Sequence, residues 1–346
     1  MRKQIIEAAA NGLFVAAIIA AGVCSAMAQL FSYGLVDLQI NDIVYSQSTG
    51  MIYATTPSTA TGGLGNRVVM IDPKARQIVA SAFAGSEPNK IVMTVDGTYF
   101  YVGMDGSASV KRFLVKDLSS DLSFSLGTTQ SNGPMYVDDM APIPGKPNLL
   151  AVSRRNMCCS PRHEGVAVYD NGVQLPTVSN RSQETNEIEA SEDGTTLYGF
   201  NNEISDNSYR RLTITPSGVS IVFSQQLAVG YTAREIRYSR GRTYADNGRI
   251  IDATTATPIA TLSVGTYNAN GFIVDAPARH CLSVLDNTLT VFTTETFQPI
   301  GTVTLPTSVN TKARLIRWGR RGIAYRTADG RLAIAESKLV TQKVTN

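Results

Sequence analysis

One stretch of the chain concentrates reactive side chains: Arg154-Arg155-Asn156-Met157-Cys158-Cys159-Ser160-Pro161-Arg162-His163-Glu164. Adjacent cysteines can close on each other as a vicinal disulfide, stay as two thiols, or act as thiolate metal ligands with His163 as a third. Zinc asks for more than this, since no CxxC spacing or second thiol pair accompanies Cys158 and Cys159. Guanidinium groups receive carboxylates and phosphates through paired hydrogen bonds. Arg154, Arg155, Arg162 and His163 would therefore form one side of an anion-receptive mouth, with solvated arginines as the plainer alternative.

Other polar residues sit where strand-like runs meet turns: Glu87 and Asn89, Asp105, Asn201-Asn202-Glu203, Arg234-Glu235, Asp246 and Asp286. Asn and Asp are common there because their side chains bond the neighbouring backbone, so each is a turn former or a contributor to a binding face. Asp138-Asp139 has three readings: a site for a divalent cation, an acid pair, or a turn and a channel-lining charge. Recognised catalytic signatures are missing. There is no GxSxG elbow, no HExxH, no P-loop and no haem-attachment CxxCH. With His163 and His280 as the only histidines, a Ser-His-Asp triad has few bases to draw on.

The elements that must carry these residues are strands. Helical periodicity is nearly absent after residue 30. Short apolar or alternating runs recur between Gly, Asp, Asn and Pro clusters, as in Leu122-Ser123-Phe124-Ser125-Leu126 and Val219-Ser220-Ile221-Val222-Phe223. The runs come in sets of four, and the third run of each set is anchored by Ile71, Phe113, Tyr169, Leu212, Ile251, Phe292 and Ala335, at spacings of 42, 56, 43, 39, 41 and 43 residues. A four-stranded unit repeating at about 40–45 residues is a propeller blade. The expected fold is all-β, a seven-bladed β-propeller of four-stranded antiparallel blades. The last set lacks a good fourth strand, while Leu35-Val36-Asp37-Leu38-Gln39-Ile40 is a surplus strand before the first set. The N-terminal strand is therefore expected to close the ring, which removes the open sheet edges. The spacing of 56 makes residues 154–164 an insertion on the face where loops converge.

The blade signatures Gly85-Ser86-Glu87-Pro88-Asn89, Asp96-Gly97-Thr98-Tyr99-Phe100-Tyr101-Val102, Ile71-Asp72-Pro73 and Ile251-Asp252-Ala253 resemble those of the seven-bladed propellers of the YVTN and lactonase-like superfamily, over roughly residues 35–336. That resemblance implies a fold and leaves function open, since members include enzymes and plain binding scaffolds.

At the N-terminus, Arg2 and Lys3 precede an apolar run from Leu13 to Val23 and the small residues of Ala26-Met27-Ala28. This is the pattern of a cleaved signal peptide, with Gln29 as the first mature residue. The domains then read 1–28 signal peptide, 29–337 propeller and 338–346 polar tail, with the mature chain periplasmic, secreted or on the cell surface. Cleavage removes Cys24 and leaves three cysteines, Cys158 and Cys159 together and Cys281 as a buried hydrophobe too far from them to pair. A net charge of +3 spread among 17% charged residues excludes an electrostatic case for nucleic acid, and no transmembrane segment is expected in the mature chain.

The functional expectation is a non-enzymatic, monomeric binding module for a small molecule or an envelope protein. It would work through a face holding Glu87, Asn89, Asp105, Arg154, Arg155, Arg162, His163, Asn202, Glu203 and Arg234, with no cofactor expected and a divalent cation as the open alternative. The rival expectation is a lactonase-like hydrolase built on Glu87, Glu203, Arg162 and His163.

Overall fold

A computed structural model describes residues 31–265, 269–310 and 314–341. Residues 1–28 and the expected new terminus at Gln29 lie outside the described residues. Seven four-stranded antiparallel sheets form a ring. In each, strands a to d run from the central channel outward. Blade 1 is Ile43–Tyr45, Ile52–Thr55, Arg67–Asp72 and Gln77–Phe83; blade 2 is Pro88–Met93, Tyr99–Met104, Ser109–Leu114 and Ser120–Ser125. Blade 3 comprises Tyr136–Pro142, Leu149–Arg155, His163–Asp170 and Val173–Gln174, and blade 4 Glu187–Ala190, Thr196–Phe200, Ser208–Thr215 and Gly218–Gln226. Blade 5 is built from Ile236–Ser239, Arg242–Ala245, Arg249–Asp252 and Pro258–Thr261, and blade 6 from Gly271–Asp275, His280–Leu285, Thr288–Thr293 and Pro299–Thr304. Blade 7 takes Leu315–Trp318, Gly322–Arg326 and Arg331–Ser337, with Phe31–Gln39 as its outer strand. The N-terminal strand thus closes the ring, in register from Phe31 opposite Ser337 to Val36 opposite Leu332.

All seven anchor residues lie in strand c, and all are buried. Strand alternation explains the packing between blades. Along Arg331–Ser337, Leu332 and Ile334 face blade 1 while Ala333 and Ala335 face blade 6. The outcome is one apolar cluster in each of the seven gaps. The a–b hairpins of blades 2 and 4 are closed by Asp-Gly turns in which Asp96 and Asp193 accept the backbone N–H two residues on, at 3.1 Å in each case. Gly97 and Gly194 take the left-handed φ values of 70° and 65° that these turns require.

One expectation is corrected. The surplus length before Tyr169 does not lie in residues 154–164. The b–c loop there, 156–162, is no longer than its counterpart at 201–207 and shorter than 56–66 in blade 1. The extra residues form a small hairpin, Thr128–Thr129 with Gly133–Pro134, in the connection from blade 2 to blade 3. The polar tail from 338 begins with a 3-10 turn, Lys338–Val340, whose Val340 is buried in the gap between blades 6 and 7. Among the described residues, no helix is long and apolar enough to cross a membrane.

Candidate functional site at the channel mouth

Each b–c loop and each connection between blades reaches the same face of the ring. On the side of blades 2, 3 and 4 these loops join into a continuous polar chain. Asn89 donates through Nδ2 to Asp105 Oδ2 at 2.7 Å, and Arg155 Nη2 donates to the same oxygen at 3.4 Å. Arg155 Nε lies 3.8 Å from Asp138 Oδ1. Asn186 Nδ2 then bridges Asp138 Oδ2 at 3.0 Å and Glu203 Oε2 at 3.2 Å, while the Arg162 guanidinium pairs with the other oxygen of Glu203. Next along the rim, Asn202 donates to the Arg234 carbonyl at 2.7 Å, and Arg234 pairs with Asp246 at 3.2 Å. Glu87 stands apart at the connection from blade 1 to blade 2, where its carboxylate accepts the Ser58 N–H at 3.4 Å.

Cys158 and Cys159 are joined by a disulfide at the exposed tip of the 156–162 loop. The loop is pinned from within. Asn156 Oδ1 accepts the backbone N–H groups of Cys158 and Cys159 at 3.1 and 2.9 Å, and Asn156 Nδ2 donates to Glu164 at 2.9 Å. Cys281 is buried in strand b of blade 6, without a sulfur partner.

The arginines and His163 do not form a free anion-receptive wall. Arg154 is buried and donates to the carbonyls of Glu164 and Gly165 and to Gln174 Oε1, at 2.9, 3.3 and 2.8 Å. His163 is fully buried; burial, then the cations Arg154 and Arg210, push its pKa down to about 3, so the ring is neutral. Arg155 and Arg162 reach the surface but are held by carboxylates. The position of each cation follows from the strand pleat and from nearby acceptors, which the linear order of the segment does not reveal.

Beneath the chain lies a group of acceptors that the sequence did not single out. Glu184 is 1% exposed, and neither carboxylate oxygen has a hydrogen-bond donor. The neighbouring Asn186 Oδ1 is buried without a donor as well. Burial, reinforced by Glu203 and opposed by Arg210, raises Glu184 to about 7. Burial also raises Asp138, against the pull of Asn186 and Arg155. Leaving a buried acceptor unmade costs about 1–3 kcal/mol, so the site holds hydrogen-bonding capacity in reserve.

Below the mouth, the a strands line the channel with charge. Lys90 faces Asp139 at 3.7 Å, Arg237 contacts Glu189 at 3.3 Å and Glu235 at 2.5 Å, and Arg314 faces Asp42 at 3.7 Å. Burial, with Asp139 adding to it, raises Glu187 to about 8; burial raises Glu189 to about 7 against the opposing Arg237. Asp138 and Asp139 are not an acid pair. A register shift between Val137 and Asp139 sends Asp138 to Arg155 and Asn186 at the mouth, and Asp139 to Lys90 and the Ile188 N–H in the channel. Among the described residues, no group of three or more His, Cys, Asp or Glu is placed to hold a metal ion. The signal for the channel lining was the alternation Glu187/Glu189 and Glu235/Arg237, which sets both members of each pair on one face of a strand.

No family model matches the chain, and no curated protein matches it in sequence. In three dimensions it is similar to a solved structure described as Kuenenia stuttgartiensis hydrazine synthase, with a TM-score of 0.65 and 12% identity, covering 88% of this chain and 97% of that one. At that identity the likeness is one of fold. The seven-bladed propeller stands, and the finer assignment to the YVTN and lactonase-like superfamily finds no matching family.

Proposed function

We propose that this chain is an exported, non-enzymatic binding module whose ligand seats on the mouth beside blades 2, 3 and 4 and brings hydrogen-bond donors, foremost a cationic group. The observation that carries this reading is the cluster of buried acceptors without donors, Glu184 Oε1 and Oε2 and Asn186 Oδ1, next to Glu203 and Asp138. An alkylammonium or guanidinium group would meet these acceptors with charge-assisted bonds and would favour the ionised form of Glu184. The arginines of the mouth already have carboxylate or carbonyl partners, so an anion gains less there.

The hydrolase reading has less support. A general base must lie within reach of the proton it takes. His163 is buried and neutral, and His280 opens strand b of blade 6 at the opposite end of the channel. Glu203 is committed to Arg162 and Asn186.

Calorimetric titration of the propeller with spermidine and with agmatine tests the cationic ligand. Saturable binding that is lost in Glu184→Gln supports the proposal, with proton release expected near pH 7. Absence of binding to both probes, or binding that Glu184→Gln leaves unchanged, overturns it. Export is tested separately by mass spectrometry of the protein from its host, which should give Gln29 as the first residue.

A further inference from the structure

We infer a second binding site, for a small ligand with clustered phosphate or sulfate groups, on the face opposite the mouth and at the seam where blade 7 meets blade 1. The observation is a cleft of about 840 Å³ whose wall carries Lys74, Arg320, Arg321 and Lys338. That volume falls in the range of small-molecule sites, roughly 300–1,000 Å³. Among the described residues, none of the four cationic heads has a hydrogen-bond or ion-pair partner. Two carboxylates share the wall. Asp72 is tied to its own turn through the N–H groups of Lys74 and Ala75, at 2.8 and 3.1 Å, leaving Glu336 as the only other negative charge among the lining residues. Tyr45 and the buried Trp318 supply aromatic wall.

The cations come from three separate segments, and the fold holds two of those segments rigidly. Arg317 pairs with Asp275 at 2.7 Å, and its guanidinium also donates to the carbonyls of Arg320 at 3.1 Å and Val340 at 2.7 Å. One buried arginine therefore fixes both the Arg320-Arg321 turn and the 3-10 turn that starts at Lys338. The Ser337 N–H donates to the Arg321 carbonyl at 2.9 Å and joins the two turns directly. Like charges gathered on a preformed frame, without internal partners, repel one another until a counter-charge arrives. Several anionic groups on one ligand would satisfy them at once, with the backbone already in place and the ordering cost confined to the four side chains. Nothing in the linear sequence marks the site, because ring closure is what brings residues 72–74 against 318–341. The site lies on the far face and is independent of the function proposed for the mouth.

Calorimetric titration at physiological salt with inorganic tripolyphosphate and with a trisulfated heparin disaccharide tests the site and tells the two anion sources apart. At least one probe should bind with a defined stoichiometry of one. Arg320→Ala/Arg321→Ala and, separately, Lys74→Ala/Lys338→Ala should each weaken it at least tenfold. The pair Lys116→Ala/Lys146→Ala removes equal charge from other turns of the same face and should leave the affinity within twofold. Failure of both probes to bind the unaltered protein, or equal weakening by the Lys116/Lys146 pair, overturns the inference.

Discussion

Replacing Glu184 by glutamine should stabilise the protein at pH 8 and change little near pH 5. Folding raises this carboxyl from its ordinary 4.5 to about 7. Between those values the folded chain keeps a proton that the unfolded chain has released, so stability falls as pH rises through the window. The cost is absent below about 4.5 and fully present above about 7. At 1.36 kcal/mol per unit, the displacement corresponds to about 3 kcal/mol at most. Glutamine carries no charge to desolvate, so the variant recovers part of that sum only where the wild type is ionised. A gain of 1–3 kcal/mol in a domain of this size raises the melting temperature by about 2–5 °C. Glu164 supplies the contrast. It is equally buried but accepts from Asn156 and Asn132 and faces Arg181 at 3.7 Å, so Glu164→Gln should destabilise at pH 8. Thermal melts of the three proteins at both pH values decide the matter. A Glu184→Gln protein that is less stable than wild type at pH 8, or equally stabilised at both pH values, would refute the desolvation account.

Three further outcomes are expected. Arg237→Met leaves Glu189 and Glu235 in the channel without their cation, which should cost about 3–5 kcal/mol at pH 8 and less near pH 5, where Glu189 is protonated; urea unfolding at the two pH values reads the difference. Deleting residues 29–40 strips Val36, Leu38 and Ile40 from the seam, a loss of about 5–9 kcal/mol that rivals the whole net stability of a domain, so cooperative melting should disappear. Cys158→Ser/Cys159→Ser should leave the melting temperature nearly unchanged, because a bridge between neighbours closes almost no loop and Asn156 already holds the tip. Faster amide exchange across 157–161 should be the main effect of the double change, and the unaltered chain without residues 1–28, denatured and unreduced, should show one free thiol.

The repeat was legible because it is local. Each blade is a run of hairpins, and the residues that mark it, such as Phe113 and Ile251, lie in one strand and are buried by the strand's own alternation. The closing strand was legible as a surplus at one end and a deficit at the other. The hairpin at 128–134 was not, since two-residue strands leave no periodic trace. The mouth was legible in part. Asn89, Asp105, Arg155, Arg162 and Glu203 do meet, but through Asp138 and Asn186, whose role depends on a strand irregularity and on the packing of blade 3 against blade 4. Arg154 and His163 read as surface groups because their neighbours in sequence are polar, whereas both are buried, Arg154 against backbone carbonyls. The channel pairs were invisible for a related reason. Lys90 finds Asp139, and Arg237 finds Glu189, across blades whose angular spacing only the closed ring defines.

The pairing of Phe31–Gln39 with Arg331–Ser337 also sets an order of assembly. Six blades are complete once their own consecutive strands exist, and they can form from contacts between near neighbours, which is fast. The seventh cannot be finished until the last part of the chain is present. During that interval Phe31–Gln39 is an apolar strand without a mate, and the flank of blade 1 around Ile52 and Val69 is uncovered. A second, equally incomplete copy offers the same vacancy. Strand exchange between two chains, the first strand of each finishing the last blade of the other, is therefore the misassembly this topology favours. It competes with closure in proportion to protein concentration, so dilute refolding should yield single rings and concentrated refolding interlinked ones.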